Sequence, residues 1–115
     1  MAQSHYEEAV ALLRTADHPV KLAHTIRHLG DVYAEQQHRA LADACFAEAL
    51  SLYRHHPSPP PLDLANAIRA YASLKSELGE TEAPQALWRE AGALYESQGI
   101  VAGVEECRRR APVGL

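Results

Sequence analysis

Apolar residues return along this chain at intervals of three and four, the spacing that lines one face of an α-helix. Leu22, Ile26, Leu29 and Tyr33 mark one such face, and Gln36-Gln37-His38 interrupts it. Leu41, Ala42, Cys45, Phe46, Ala49, Leu52 and Tyr53 mark the next. The pattern resumes from Leu64 to Leu78, turns at Gly79-Glu80-Thr81, and runs from Glu82 to Gln98, where Gly99 suits a C-terminal cap. No stretch alternates with the two-residue period of a strand between hairpin turns. Six helices are predicted, over roughly 4–15, 19–36, 39–55, 63–78, 82–98 and 100–110. Ser4-x-x-Glu7 reads as a capping box for the first. Asp63, just after Pro59-Pro60-Pro61, reads as an N-cap for the fourth, and Pro84 falls early enough in the fifth to be tolerated.

The pattern also repeats. Residues 22–56 laid on 64–98, at a shift of 42 and without a gap, are identical at Leu22/Leu64, Ala23/Ala65, Ile26/Ile68, Arg27/Arg69, Glu35/Glu77, Ala44/Ala86, Glu48/Glu90, Ala49/Ala91, Leu52/Leu94 and Tyr53/Tyr95. Val32/Leu74, Cys45/Leu87 and Phe46/Trp88 preserve size. Tyr6–Arg14 parallels the second helix of each copy, Phe46–Arg54 and Trp88–Glu96. The chain therefore reads as two helical hairpins between two half-units. A lone second-type helix stands at the start. A lone first-type helix stands at Ile100–Arg110, with Val104 and Cys107 facing inward and a polar outer side from Glu105, Glu106 and Arg108-Arg109-Arg110.

Ile26-x2-Leu29-Gly30-x2-Tyr33, followed by Ala42, Phe46 and Ala49, resembles the tetratricopeptide repeat, in which Leu-Gly and Tyr lie on helix A and Ala, Phe, Ala on helix B. The second copy follows with Ile68-x2-Tyr71-Ala72, departing at Lys75 and Pro84. Residues 23–56 and 65–98 make two 34-residue units, and Pro57–Leu64 is an eight-residue insert whose prolines predict an extended, stiff link. Repeats of this 42-residue kind resemble those of kinesin light chain and of many bacterial multi-repeat proteins. The resemblance implies an all-α antiparallel helix-hairpin solenoid wound as a right-handed superhelix, forming one domain over residues 1–115. It also implies a concave face, lined by the A helices, that holds a peptide.

Composition narrows the function. The chain has 115 residues, 47% of them hydrophobic and 21 of them alanine, enough for one close-packed core. No apolar run approaches the length of a membrane span. Fifteen acids against eleven bases leave a net charge of −4, which argues against a general nucleic-acid binder. Cys45 and Cys107 make no disulfide framework, so a cytoplasmic setting is expected. Nine arginines against two lysines point to a GC-rich bacterial genome.

The non-core face of the first A helix carries His24, Arg27, Asp31 and Glu35, and its counterpart carries Asn66, Arg69, Ser73 and Glu77. Arg27 and Arg69 are expected to form a guanidinium ladder that suits an acidic peptide or a C-terminal carboxylate. Arg69 has no acid three or four places away in its own helix, which leaves it available to a ligand. The weaker alternative is a solvated face with an Arg27–Asp31 pair. The chaperone-binding members of the family use lysine and asparagine where this chain has Arg, Asp31 and Ser73. His24 and His28, four apart, could share a helix face as metal-binding pairs do. Without an HExxH motif or a third ligand they read first as surface histidines. No metal and no cofactor are expected. No phosphate loop or nucleophile–base set is present, so no enzyme is expected. A protein-interaction module is the leading reading. A self-associating homodimer, sticking through Ala9, Leu12 and Ala16, stands second, and a metal- or small-ligand-binding protein third.

Overall fold

The computed structural model describes residues 2–111. They form six helices: α1 (Ala2–Thr15), α2 (Pro19–Glu35), α3 (Arg39–His55), α4 (Pro61–Glu77), α5 (Glu82–Ser97) and α6 (Val101–Arg110). No strand occurs among the described residues. Consecutive helices pack as α1 on α2 and α2 on α3, then as α4 on α5 and α5 on α6. The fold is all-α and built of helical hairpins. The chain divides into two compact units at Pro59/Pro60, inside the proline-rich segment.

The 42-residue period is structural. α2 and α4 both have 17 residues, and each begins with a proline, Pro19 and Pro61, in the same position. A proline there costs nothing in hydrogen bonds, because the first N–H groups of a helix have no intrahelical acceptor, and its fixed φ is already helical. This replaces the predicted start of the fourth helix. Pro61 begins α4, so Asp63 is not the N-cap. It lies in the first turn, where its charge complements the helix dipole. The insert is likewise shorter than expected, since Pro61–Leu64 already belong to α4. At the other end of the chain α1 starts at Ala2, which puts Ser4 inside the helix and removes the capping box. Glu7 serves otherwise: its Oε2 accepts a 2.9 Å hydrogen bond from the Tyr33 hydroxyl of α2.

Three helix ends close in the same way. Gln37, Gly79 and Gly99 have φ of 64°, 85° and 70°, and the next residue's N–H reaches back to the carbonyl five places earlier. These bonds are His38 to Tyr33 (2.9 Å), Glu80 to Lys75 (3.1 Å) and Ile100 to Tyr95 (2.9 Å). The left-handed residue frees the chain from the helix while satisfying a terminal carbonyl. Glycine enters that conformation without a steric penalty, whereas a side chain there costs roughly 1–2 kcal/mol. Gln37→Gly gives back part of this gain through the greater freedom of the unfolded chain, so the net stabilisation expected is about 0.5–1 kcal/mol. A higher melting temperature for the variant checks this; an unchanged or lower one refutes it.

In the first unit Ile26, Leu29, Tyr33, Phe46 and Tyr53 are buried, with Ala23, Ala42 and Ala49 fully enclosed at the close approaches. Gly30 marks the tightest crossing, for a Cβ built on it would lie 2.6 Å from the Phe46 ring. Val10 joins this core from α1, and Arg14 ties α1 to α3 through two hydrogen bonds to Glu48, of 2.7 and 2.9 Å. Leu41, placed by its spacing on the inner face of α3, is half exposed instead. Leu12 stands 72% exposed on α1. In the second unit Ile68, Leu74, Trp88 and Tyr95 are buried, as is Pro84 in the first turn of α5. α6 adds Cys107, and Gly103 lets it lie against the Tyr95 ring.

Candidate functional site

Polar residues of α2 and α4 hold the positions that the repeat pairs, and each unit uses them differently. In the first unit His24, Arg27, His28 and Asp31 form one cluster. Their spacing of three and four stacks them along one side of α2. The Nε2 atoms of His24 and His28 are 3.1 Å apart, with ring centroids at 4.5 Å. Arg27 Nη2 lies 3.2 Å from His28 Nε2, and Asp31 Oδ2 lies 3.7 Å from His28 Nδ1. Tyr6 of α1 stacks nearly parallel on the His28 ring, at 5.9 Å and 14°. Burial lowers the His28 pKa from its ordinary value, and the Arg27 guanidinium and His24 add to the effect. Glu35, at the end of α2, is exposed and stands apart, beside Ala2 and Gln3 at the start of α1.

In the second unit the corresponding residues are already engaged. Asn66 Oδ1 accepts a 2.6 Å hydrogen bond from the Tyr95 hydroxyl of α5. Arg69 Nε donates to Glu106 Oε1 of α6, also at 2.6 Å. That carboxylate raises the Arg69 pKa further above its already high value. The sequence reading that left Arg69 available is thereby corrected: its acid comes from another helix, 37 residues away. Ser73 is half-buried and Glu77 exposed on the same helix. Lys75, which stands where the repeat has tyrosine, lies over the Tyr71 ring at 5.0 Å and pairs with Glu80 at 3.3 Å.

One site residue was missed from sequence, and the surroundings of another were not visible there. Glu106 read only as part of a polar cap, and nothing in its local spacing ties it to α4. His28 was seen as a partner for His24, but its contacts to Arg27, Asp31 and Tyr6 depend on how α1 docks. Both cysteines are poor nucleophiles where they stand. Burial, with Glu48 adding to it, pushes the Cys45 thiol up to about 11, and burial, with Glu106 adding, raises that of Cys107. Among the described residues no group of three or more His, Cys, Asp and Glu converges, and no helix is long and apolar enough to cross a membrane. The arrangement can form charge-assisted hydrogen bonds, hold a carboxylate on a guanidinium, and present imidazole nitrogens. Among family models, curated proteins and solved structures, none matches this chain.

Proposed function

We propose that this chain is a non-enzymatic protein-interaction module, resembling tetratricopeptide repeats, that holds an acidic segment or C-terminal carboxylate of a partner on the polar faces of its first-type helices. The observation that carries the reading is the grip of Arg69 on Glu106. A guanidinium at the repeated position takes a carboxylate at 2.6 Å, with only moderate burial. Arg27 stands at the same position one repeat earlier, with its Nη2 3.2 Å from His28 Nε2. The proposal includes a cytoplasmic setting, supported by two free thiols.

On this reading Glu106 competes with the partner for Arg69. Peptides selected from a displayed random library against the full chain are expected to be rich in Asp, Glu or a free C-terminus. Their affinity, read by fluorescence anisotropy, is expected to fall about tenfold or more when Arg27→Ala and Arg69→Ala are combined, since charge-assisted hydrogen bonds contribute roughly 1.5–3 kcal/mol each. Glu106→Gln is expected to tighten binding severalfold by releasing Arg69. Peptides without acidic character, or an affinity indifferent to both arginines, would remove the proposal.

A further inference from the structure

We propose that His24 and His28 form a two-point binding site for a divalent transition-metal ion of the copper–zinc class, a role distinct from the carboxylate reading above. The two imidazoles lie one helical turn apart on α2, and they face each other by their nitrogens. The 3.1 Å between Nε2 atoms is shorter than the 4.5 Å between ring centroids, so the nitrogen-bearing edges are turned inward. An ion held at the usual 2.0–2.1 Å from both nitrogens would subtend an angle of about 98° there, between the square-planar and tetrahedral values. Both ligands come from one rigid helix, and no backbone movement is needed to bring them together.

His28 is also held as a ligand should be. Arginine can only donate, so the 3.2 Å contact from Arg27 makes His28 Nε2 an acceptor. His24 Nε2 then donates across the 3.1 Å contact, and its proton moves to Nδ1 when the ion binds. The His28 ring proton sits on Nδ1, facing Asp31 Oδ2 at 3.7 Å. A carboxylate behind the distal ring nitrogen is the usual outer support of a metal-bound histidine, and Asp31 brings its charge there without a hydrogen bond. Tyr6 closes one face of the ring by stacking on it. Exposed His24 leaves the other side open to water, which would complete the coordination. Arg27 is the opposing element. Its guanidinium occupies the lone pair that the ion needs and repels the charge, so it must swing out when the ion binds. That opposition makes the site weak in the wild type and gives the proposal a distinctive test.

The experiment is isothermal calorimetry of the full chain, without a histidine tag, titrated with copper(II) and with zinc(II) in a weakly coordinating buffer. One ion per chain is expected, copper binding more tightly than zinc, as the general order of divalent affinities requires. His24→Ala, on an exposed position that does not test the fold, is expected to weaken binding about tenfold or more. Asp31→Asn is expected to weaken it about tenfold through loss of outer support. Arg27→Ala is expected to tighten it severalfold, the opposite of its effect on a carboxylate-bearing peptide, so the two readings fail separately. The His24 and His28 ring protons are expected to be the first imidazole signals shifted in NMR spectra at substoichiometric zinc. Absence of saturable heat overturns the proposal. So does binding that survives His24→Ala combined with His28→Gln, which would place the ion on the other histidines, or zinc shifts confined to those other rings.

Discussion

Trp88→Ala is expected to destabilise the second unit by about 3–5 kcal/mol, the usual cost of emptying a large aromatic site in a packed core. The indole is 1% exposed and is the largest fully buried side chain among the described residues. It stands where the first copy has phenylalanine, and Arg110 of α6 lies over its ring at 4.9 Å. Its removal therefore strips contacts from α5 and the support beneath α6 together. Small domains hold only about 5–15 kcal/mol in all, so a loss of this size moves the urea midpoint of the helical circular-dichroism signal far down. Trp88→Phe is expected to be much milder, costing about 1 kcal/mol. The indole N–H is buried and has no hydrogen-bond partner among the described residues. Deleting it relieves an unsatisfied donor, which offsets part of the lost contact. A loss below about 1 kcal/mol for Trp88→Ala would show that the repeat tolerates a hole where its largest side chain stands.

The second large effect is expected from Gly30→Val, at about 2–3 kcal/mol. Glycine inside a helix normally costs about 1 kcal/mol relative to alanine, so filling the position has something to gain. Packing decides otherwise. A Cβ there meets Phe46 Cε1 at 2.6 Å and Cδ1 at 2.8 Å, and the Cys45 Cβ at 3.1 Å. Phe46 is 2% exposed and cannot step aside, and valine brings two further carbons into the same space. Overpacking of this kind costs about 1–3 kcal/mol, and the branched side chain gives back little of the helix gain. The diagnostic comparison is the double variant Gly30→Val with Phe46→Ala. If the clash is the cause, the two losses are less than additive, because the cavity left by one receives the methyls of the other. Additive losses would place the cause elsewhere.

Much of this architecture is legible in the order of residues, because helix faces and turn glycines are local signals. The Leu22–Tyr33 and Leu64–Leu78 stretches carry their helices in their own spacing, and Gly79 and Gly99 stop the chain where expected. The errors are instructive. Asp63 was a reasonable cap on propensity, but Pro61 takes the first helical position because its φ needs no adjustment. Ser4 lost its capping role because α1 extends two residues further toward the start. Gln37 carries no turn signal, yet it must adopt the same left-handed conformation as Gly79, and the period is what reveals the equivalence. The site was less legible. Arg27 and Arg69 stand in equivalent places in sequence, and only the docking of α6 separates them by bringing Glu106 onto one. Contacts made across tens of residues leave no mark in local spacing.

The placement of the lone tryptophan has an optical consequence. Trp88 lies in the second unit, while the first has no tryptophan and absorbs through Tyr6, Tyr33 and Tyr53. Light at the red edge of protein absorption thus excites one half of the molecule selectively. The guanidinium of Arg110 caps that fluorophore from the final turn of α6, so lifting the last helix uncovers the indole and shifts its emission to longer wavelength. Without any attached label, the chain carries an intrinsic lamp for its C-terminal half and leaves its N-terminal half dark.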